Sequence, residues 1–382
     1  MKNSDVSKIV EENFGDGAIE RAQSKWKAEG GRKIGWLCTY VPEEIIHAAG
    51  FLPVRITGTI SGGARAEKAI YSNVCPFIKN CLSSALEDKY AFDGIVAAQT
   101  CDGITKLLNM WEYFKPIPFS HLVGLPRHLD EDGEKLFVYE VKLFKENLEN
   151  TFDITITDES IEEAIRIYNE TRKLLRELYA TRINDTPKIT GTDILKIMTA
   201  AVSMPKTTFN ALLKELLSNL ESLQGAVSDY SDSIRLIITG GEMDRPYLVD
   251  TLEGSGAIVV NEEMCMGYRY FGLDDDVINQ DEPITDIARR YFYRMPCSAI
   301  YSKMETKMES LFKMIKDFKA DAVVYHTLKF CDCYQCDYPI YEEEFRKRDI
   351  PLLLLETDYS ERSVGQLRTR VEAFIEMLSE EV

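Results

Sequence analysis

The sequence predicts an α/β fold in which two similar, doubly wound parallel-sheet domains are accompanied by helical segments. In both halves of the chain, apolar runs of strand length alternate with helical patterns, which is typical of a parallel sheet covered on both faces. The 382 residues, 45% of them hydrophobic, are too many for one ordinary core and can bury two. We therefore expect an N-terminal helical segment (1–30), a first α/β domain (31–157), a second helical segment (158–228) and a second α/β domain (229–382).

The first domain begins with a strand, a helix and a second strand. Residues 33–38 form an apolar run, the helix over 42–49 begins with a proline, and residues 51–56 form the next strand. Further apolar strands follow over 93–100 and 119–124. Strands separated by helices predict parallel pairing.

The chain changes character over 158–228, where apolar residues such as Ile161, Ile165 and Tyr168 recur at helical spacing without a strand-like run. The alternation then resumes, with a helix near 244–254 and strands over 233–241, 257–260, 321–327 and 350–355. The second α/β domain is therefore expected to repeat the first.

Two strand ends resemble each other across the halves of the chain. Asp93-Gly-Ile-Val-Ala-Ala-Gln-Thr-Cys-Asp102 and Asp321-Ala-Val-Val-Tyr-His-Thr-Leu-Lys-Phe-Cys-Asp332 each consist of a strand followed by Cys-Asp. In open parallel sheets of the flavodoxin and Rossmann kind, ligands bind beyond the carboxyl ends of the strands. Cys101 and Cys331 therefore fall where such folds place their chemistry.

The chain is acidic, with 63 acidic and 45 basic residues and a formal net charge of −18. This charge disfavours nucleic acids and anionic membranes as partners, because both bind basic surfaces. No apolar run approaches the roughly 20 residues of a membrane-spanning helix. Nine cysteines in a long chain without an export signal indicate a reducing compartment, so we expect a cytoplasmic protein.

The cysteine pattern indicates metal binding. Cys331, Cys333 and Cys336 are crowded together, and such clusters in a reducing compartment bind metal more often than they form disulfides. Cys75 precedes a helix that begins with a proline, where free backbone N–H groups stabilise a thiolate. With Cys101 and Cys331 it gives three soft ligands at element ends, which suits an iron-sulfur cluster with one iron open to substrate.

Other interpretations of the cysteines stay open. The spacing Cys333-x-x-Cys336 is also a zinc-ligand spacing, and a closed site needs only one more such pair. Cys265 and Cys297 lie in apolar or aromatic contexts typical of buried, inert cysteines. Cys38 ends a strand and could be a core residue, a redox-active thiol or part of the site.

Motifs along most of the chain resemble, in the same order, those of D-component-like subunits in the 2-hydroxyacyl-CoA dehydratase and benzoyl-CoA reductase superfamily of iron-sulfur proteins. The resemblance spans residues 33 to 376. Its motifs are residues 35–55, Ser72-Asn-Val-Cys-Pro-Phe, Thr100-Cys-Asp-Gly, Cys265-Met-Gly-Tyr-Arg-Tyr-Phe, Met295-Pro-Cys, Lys329-Phe-Cys-Asp and Gly365-Gln-Leu-Arg-Thr-Arg.

The resemblance implies two domains that face each other across a cleft, a 4Fe-4S cubane held there by Cys75, Cys101 and Cys331, and dimerisation with a like or related subunit. It also implies a separate activator protein that hydrolyses ATP, carries its own iron-sulfur cluster and delivers single electrons at very negative potential. No phosphate-binding loop motif occurs in this sequence, so ATP use is expected of the activator alone.

Three further cysteines, Cys81, Cys333 and Cys336, lie near the first three in sequence, and a member with one cubane has no need of them. Six cysteines resemble the double-cubane branch of the superfamily, in which two cubanes joined by a bridging sulfide are held in a homodimeric, ATP-dependent reductase. Cys265 or Cys38 could replace one of the added three. In an extended stretch, the last three cysteines of the chain would require a tight turn to converge.

Three hypotheses of function follow. The first is a low-potential reductase that takes electrons from the activator and reduces a small molecule at the double cubane. The second is a subunit of a 2-hydroxyacyl-CoA dehydratase or benzoyl-CoA reductase, in which a single 4Fe-4S cluster binds an acyl-CoA thioester and a ketyl radical forms; it predicts a heterodimer. The third is a non-catalytic zinc or iron-sulfur scaffold.

Residues for proton transfer and for binding a CoA tail are also predicted. Thr39, Glu44 and His326 are the candidates for moving protons, whereas His47, among apolar neighbours, is typical of a structural histidine. The phosphates of a CoA tail would require basic residues, and the candidates, which are equally ordinary surface charges, are Arg55, Arg65, Lys68 and Lys79.

Overall fold

Four parallel strands form the first sheet, in the order β2-β1-β3-β4. The strands are β1 (Arg32–Leu37), β2 (Phe51–Arg55), β3 (Gly94–Ala98) and β4 (Phe119–Val123). Every residue of β3 is buried, as expected of a central strand covered on both faces. The strand order reverses between β1 and β3, and the crevice at their carboxyl ends is where doubly wound sheets bind ligands.

The second sheet repeats this arrangement with four parallel strands in the order β6-β5-β7-β8. Its strands are β5 (Ile234–Gly240), β6 (Ala257–Glu263), β7 (Ala322–Leu328) and β8 (Leu352–Thr357). The predicted fold class is therefore confirmed, with two similar parallel-sheet domains. Each predicted strand is present, and most differ from the prediction by one or two residues at their ends.

The computed structural model describes residues 3–58, 64–222, 233–272, 282–294, 297–300, 304–359 and 362–380. Met295 and Pro296 of one family-like motif, and residues 223–228 of the predicted helical segment, lie outside these ranges. The α-helices are α1 (Asn3–Phe14), α2 (Asp16–Ala28), α3 (Glu43–Ala48), α4 (Pro76–Leu86), α5 (Asp102–Phe114), α6 (Glu131–Phe152), α7 (Asp158–Ala180), α8 (Gly191–Ala201), α9 (Lys206–Ser222), α10 (Tyr247–Gly254), α11 (Tyr268–Phe271), α12 (Pro283–Phe292), α13 (Met304–Asp317), α14 (Asp332–Arg346) and α15 (Arg362–Glu380). Within the described ranges, no helix has both the length and the apolar character that crossing a membrane requires.

The helices of the middle segment share an apolar core with the first sheet, and α8 also contacts β6 of the second sheet. α7 contacts α3 and α9, α8 contacts α1, and α12 from the second half of the chain contacts α6 and α7. One apolar core joins Ile34 and Phe51 of the sheet to Leu175, Phe209 and Tyr291 of these helices. These residues belong to three of the four predicted regions. The boundaries between those regions stay a prediction.

Candidate metal centre

A cavity of about 260 Å³ lies between the two domains, beyond the carboxyl ends of their strands. Cys38 follows β1 and Cys101 follows β3, while Cys265 follows β6 and Cys331 follows β7, and all four line the cavity. Strand ends of this kind are where doubly wound sheets bind ligands. One buried water needs about 10–15 Å³, so the volume is roughly twenty times that of a single-water site. The cavity can therefore hold a group of many atoms.

Cysteines dominate the polar lining of this cavity. Seven of the nine line it, namely Cys38, Cys75, Cys101, Cys265, Cys297, Cys331 and Cys333. In the part of the chain that the structure describes, no three His, Cys, Asp or Glu side chains are grouped as they would be around one metal ion. The thiols are instead distributed over the walls of a volume. That distribution fits an iron-sulfur cluster, because its thiolate ligands bind different iron atoms.

Three of these cysteines are helix N-cap residues. Cys75 precedes α4, Cys101 precedes α5 and Cys331 precedes α14. At each position the first backbone N–H groups of the helix and the positive end of its dipole favour a thiolate. The structure brings these three cysteines to one cavity, and the thiols of Cys75 and Cys331 are hydrogen-bonded. They are the three ligands that the family resemblance implied.

Burial opposes ionisation of these thiols. It raises the pKa of Cys101 to about 12 and the pKa of Cys333 to about 12. The hydrogen bond with Cys75, followed by burial, raises the pKa of Cys331. Such thiols are neutral at physiological pH unless a cation replaces the proton, and a coordinating metal deprotonates a thiol outright. The site is therefore suited to metal binding rather than to a free nucleophilic thiolate.

Two residues at the cavity adopt a left-handed backbone conformation although neither is glycine. Cys38 has φ of 76° and Phe330 has φ of 58°. Such conformations cost on the order of 1–3 kcal/mol and cluster at functional sites. Cys38 makes the sharp exit from β1, and Phe330 immediately precedes Cys331. The strained backbone at Cys38 and Phe330 thus helps to place the thiols of Cys38 and Cys331 in the cavity wall.

The structure does not bring two of the six predicted ligands to the cavity. Cys81 is fully buried inside α4, and Cys336 is exposed on α14. Neither is among the described residues that line the cavity. Cys81 is six residues beyond Cys75, which places it about 9 Å along the helix axis and on a different face. Proximity in sequence, on which these two assignments depended, therefore does not mean proximity in space.

The tight turn that we expected after Cys331 is replaced by the first turns of α14. Cys333 lies in its first turn and lines the cavity, while Cys336 lies one turn further on and faces solvent. The spacing Cys333-x-x-Cys336 therefore does not present both thiols to the cavity as a pair of ligands.

Cys38, Cys265 and Cys297 reach the cavity instead. After burial, the neighbouring Cys297 thiol is the largest contribution to the raised pKa of Cys38, so these two side chains lie close together. Cys297 likewise contributes to the raised pKa of Cys265, after burial and Glu242. The sequence favoured an inert interpretation of Cys265 and Cys297. Cys297 comes before α13, the helix that precedes β7, much as Cys75 comes before α4, the helix that precedes β3. This correspondence between the two domains could have identified Cys297.

A buried ion pair forms the polar corner of the cavity. Arg55 donates from Nη2 to Glu242 Oε2 at 2.7 Å, and Arg55 is 4% exposed. Arg55 Nε and Nη1 and Glu242 Oε1 have no hydrogen-bond partner in the described residues. Buried polar atoms without partners are uncommon, so these atoms are available to a bound group. The sequence had suggested Arg55 for a CoA phosphate and did not identify Glu242, which follows the end of β5.

The other three candidates for phosphate binding lie elsewhere. Arg65 and Lys68 are exposed, and Lys79 donates to the carbonyl of Ser72 at 2.5 Å. None of the three belongs to the cavity lining in the ranges that the structure covers. The structure therefore gives them no role at this site.

Glu44, a candidate for proton transfer, is fully buried in an ion pair. Its Oε1 accepts a hydrogen bond from Arg172 at 2.7 Å, and its Oε2 accepts one from the hydroxyl of Tyr291 at 2.8 Å. Although burial opposes ionisation, Arg172 and Arg290 hold the pKa of Glu44 below its ordinary value. This carboxylate joins α3 to α7 and α12, so its environment is that of a structural ion pair.

The remaining proton-transfer candidates, Thr39 and His326, are also buried. His326 bonds Thr357 Oγ1 through Nε2 at 2.8 Å, and burial lowers its pKa to about 4. Thr39 accepts a hydrogen bond at its carbonyl from Arg294. His47 stacks edge-on against Tyr168, and burial lowers its pKa. Among described residues, the cavity lining includes none of the side chains of Thr39, His326 and His47. The proton-transfer roles of Thr39 and His326 stay predictions.

Comparison with known proteins finds whole-chain relatives. The profile of the family described as 2-hydroxyglutaryl-CoA dehydratase, D-component, matches residues 38–378. The chain is 29% identical to the putative dehydratase subunit YjiM of Escherichia coli (strain K12), over 90% of this chain and 91% of the relative. It is 27% identical to a benzoyl-CoA reductase subunit of Thauera aromatica, over 96% of each chain. It is 25% identical to the (R)-2-hydroxyglutaryl-CoA dehydratase subunit beta of Acidaminococcus fermentans, over 98% of this chain and 100% of the relative.

Proposed function

Because this chain belongs to the 2-hydroxyglutaryl-CoA dehydratase D-component family, we propose that it is an iron-sulfur enzyme component, and specifically a low-potential reductase that holds a double cubane. Its relatives are subunits of dehydratases and of a benzoyl-CoA reductase, which supports an enzymatic role in general. The observation that carries the specific proposal is the lining of the cavity by seven cysteines. One cubane with an open iron needs three thiolates, and two bridged cubanes need six.

The cavity thiols divide into two neighbouring groups. We assign Cys75, Cys101 and Cys331, the N-cap cysteines, to one cubane. We assign Cys38, Cys265 and Cys297 to the other, because the Cys297 thiol interacts with each of the other two. Cys333 neighbours both Cys331 and Cys297, whose thiols add to its raised pKa after burial, so it lies between the groups. In the ligand set that the sequence suggested, this assignment replaces three residues, Cys81, Cys333 and Cys336. Cys333 stays in the cavity as a seventh thiol without a ligand role.

A bound double cubane would supply storage and transfer of electrons at low potential. The residues of this chain would position it and control access to it. Arg55 lines the cavity and has two unpaired N–H groups, which would be available to donate to sulfide or to a bound small molecule. Apolar side chains, including Val74, Ile78 and Leu328, form much of the remaining wall and limit water.

The proposal includes partners and location. Electrons would come from a separate ATP-hydrolysing iron-sulfur activator, and ATP would bind there alone. The relatives are subunits of larger enzymes, which supports the need for partner proteins. We propose a homodimer for the reductase, in cytoplasmic conditions that keep nine cysteines reduced.

The second candidate is a subunit of an acyl-CoA dehydratase or reductase with a single 4Fe-4S cluster in a heterodimer. The names of the relatives favour it. Against it, four cavity cysteines would have no ligand role, and three of the four basic residues considered for a CoA tail are absent from the cavity lining that the structure describes.

Oxidation of the reduced protein by a substrate tests the two candidates against each other. Anaerobic protein would be reduced with Ti(III) citrate, freed of excess reductant, and mixed with hydroxylamine or with a 2-hydroxyacyl-CoA. Reductase function predicts that hydroxylamine reoxidises the cluster, seen as recovery of its visible absorbance, and that the thioester remains unchanged. Dehydration of the thioester to the enoyl-CoA, detected by mass spectrometry, would support the second candidate and contradict the first.

A further inference from the structure

Tyr334 brings a hydroxyl group to one of the cavity thiols. It follows Cys333 in the first turn of α14, lines the cavity and is 6% exposed. Its hydroxyl oxygen lies 3.4 Å from Sγ of Cys297, which is hydrogen-bonding distance for sulfur. No motif in the sequence pointed to this tyrosine.

The hydroxyl of Tyr334 has a second contact, which leaves its hydrogen free to reach the sulfur. Arg269 donates from Nη1 to the Tyr334 hydroxyl oxygen. A guanidinium has donors and no acceptor, so the phenol oxygen must accept this bond and its own hydrogen stays available. Cys297 Sγ lies within reach of that hydrogen. A thiolate has no hydrogen to donate, so when Cys297 binds iron the bond runs from Tyr334 to the sulfur.

A buried network fixes Arg269 in this orientation. Its Nη2 bonds Glu263 Oε2 at 2.5 Å, its Nε bonds Glu263 Oε1, and its Nη1 also bonds the carbonyl of Gly240 at 2.8 Å. Glu263 in turn accepts a hydrogen bond from the hydroxyl of Thr239 at 2.5 Å. Two parallel bonds to one carboxylate leave an arginine little freedom to rotate. Arg269 is therefore held in place as a hydrogen-bond donor to the hydroxyl oxygen of Tyr334.

The thiol is fixed as well. The backbone N–H of Cys297 donates to the hydroxyl of Tyr40 at 3.3 Å, and Arg294 over the Tyr40 ring bonds the carbonyls of Thr39 and Arg269. Both partners of the contact between Tyr334 and Cys297 are thus held by buried residues. Contacts held from both sides are suited to tuning a bound group because no reorganisation is needed when its charge changes.

We propose that Tyr334 is a positioning residue that donates a hydrogen bond to the Cys297 thiolate and raises the reduction potential of the cluster bound there. This inference depends on the proposed function, in which Cys297 is an iron ligand. Reduction adds negative charge to a cluster and its thiolates, and a hydrogen-bond donor stabilises that charge. The cubane bound by Cys297 would then be the more easily reduced of the two, so electrons would collect on that side of the cavity.

Tyr334→Phe tests this proposal because it removes only the hydroxyl group. At the potential that half-reduces this cubane in the unaltered protein, we expect the ratio of reduced to oxidised cluster to fall about tenfold, which corresponds to about 59 mV for one electron. Iron content should not change. Tyr338→Phe is the matched control, since that hydroxyl lies one turn further along α14 and bonds Glu342. An unchanged ratio in Tyr334→Phe with full iron content would overturn the proposal.

A measurement on metal-free protein separates this inference from the proposed function. If the unaltered protein bound no cluster, the proposed function would fail, and the reaction of Cys297 with iodoacetamide would still report on the hydrogen bond. We expect Tyr334→Phe to change the rate at which the Cys297 peptide is alkylated, because it removes the hydroxyl that contacts this sulfur, whereas Tyr338→Phe should not change it. Equal rates in Tyr334→Phe and Tyr338→Phe would mean that the hydroxyl does not bond the sulfur.

Discussion

Cys297→Ser is expected to lower the iron content from about eight to about four atoms per chain, because it removes a ligand of the second cubane and leaves the ligands of the first. Cys38→Ser and Cys265→Ser should give the same result. Cys75→Ser, Cys101→Ser and Cys331→Ser should likewise lower the iron content to about four atoms per chain, because each removes a ligand of the first cubane and leaves those of the second. Iron and acid-labile sulfide, measured on anaerobically purified variants, provide the test.

Two cysteines outside the cavity supply the controls for this series. Cys336 is exposed on α14, and the Cys81 side chain is buried on α4. The variants Cys336→Ser and Cys81→Ala should therefore keep an iron content of about eight atoms per chain. Loss of half of the iron in either control, with Cys297→Ser unaffected, would restore the ligand set suggested by sequence proximity. Near-ultraviolet circular dichroism of each variant would separate loss of a ligand from loss of the fold.

Glu44→Ala is expected to destabilise the protein by about 3–5 kcal/mol, the range found when one partner of a buried ion pair is removed. The variant leaves Arg172 in the core without its carboxylate and removes the acceptor of the Tyr291 hydroxyl. Urea unfolding at neutral pH measures the effect as a shift of the midpoint. A catalytic role for Glu44 would instead give lost activity with an unchanged midpoint.

A surface ion pair on α7, the helix that carries Arg172, provides the control for Glu44. Glu163 bonds Arg166 at 2.5 Å on the exposed side of α7. Glu163→Ala should leave the midpoint nearly unchanged, because solvent and ions screen exposed pairs. If both alanine variants unfolded at the same urea concentration, the buried pair would not be a major contact between α3, α7 and α12.

The strands and the first three ligands could be predicted because both depend on local sequence. Short apolar runs mark buried strands whatever their partners are, and Cys101 and Cys331 follow two of these runs directly. Cys75 precedes a helix that begins with a proline, so its position at a helix end could also be predicted from the sequence. Parallel sheets then bring such ends together by their topology alone.

The remaining ligands could not be predicted because they depend on how helices are oriented in three dimensions. Cys81 and Cys297 show the difference, since the first is six residues from a ligand and turned away from it, whereas the second is more than 30 residues from the nearest cavity cysteines in sequence and lies beside them in space. The role of Glu44 was similarly ambiguous. The sequence around a glutamate at the start of a helix does not show which arginine will pair with it in the core.

The iron, zinc and acid-labile sulfide content of anaerobically purified protein, with EPR of the reduced sample, tests the central claim most directly. Two cubanes in the cavity predict about eight irons per chain, sulfide at least equal to iron, and EPR signals from two interacting clusters. About four irons per chain with an isolated-cluster signal, or zinc without sulfide, would contradict the double-cubane account.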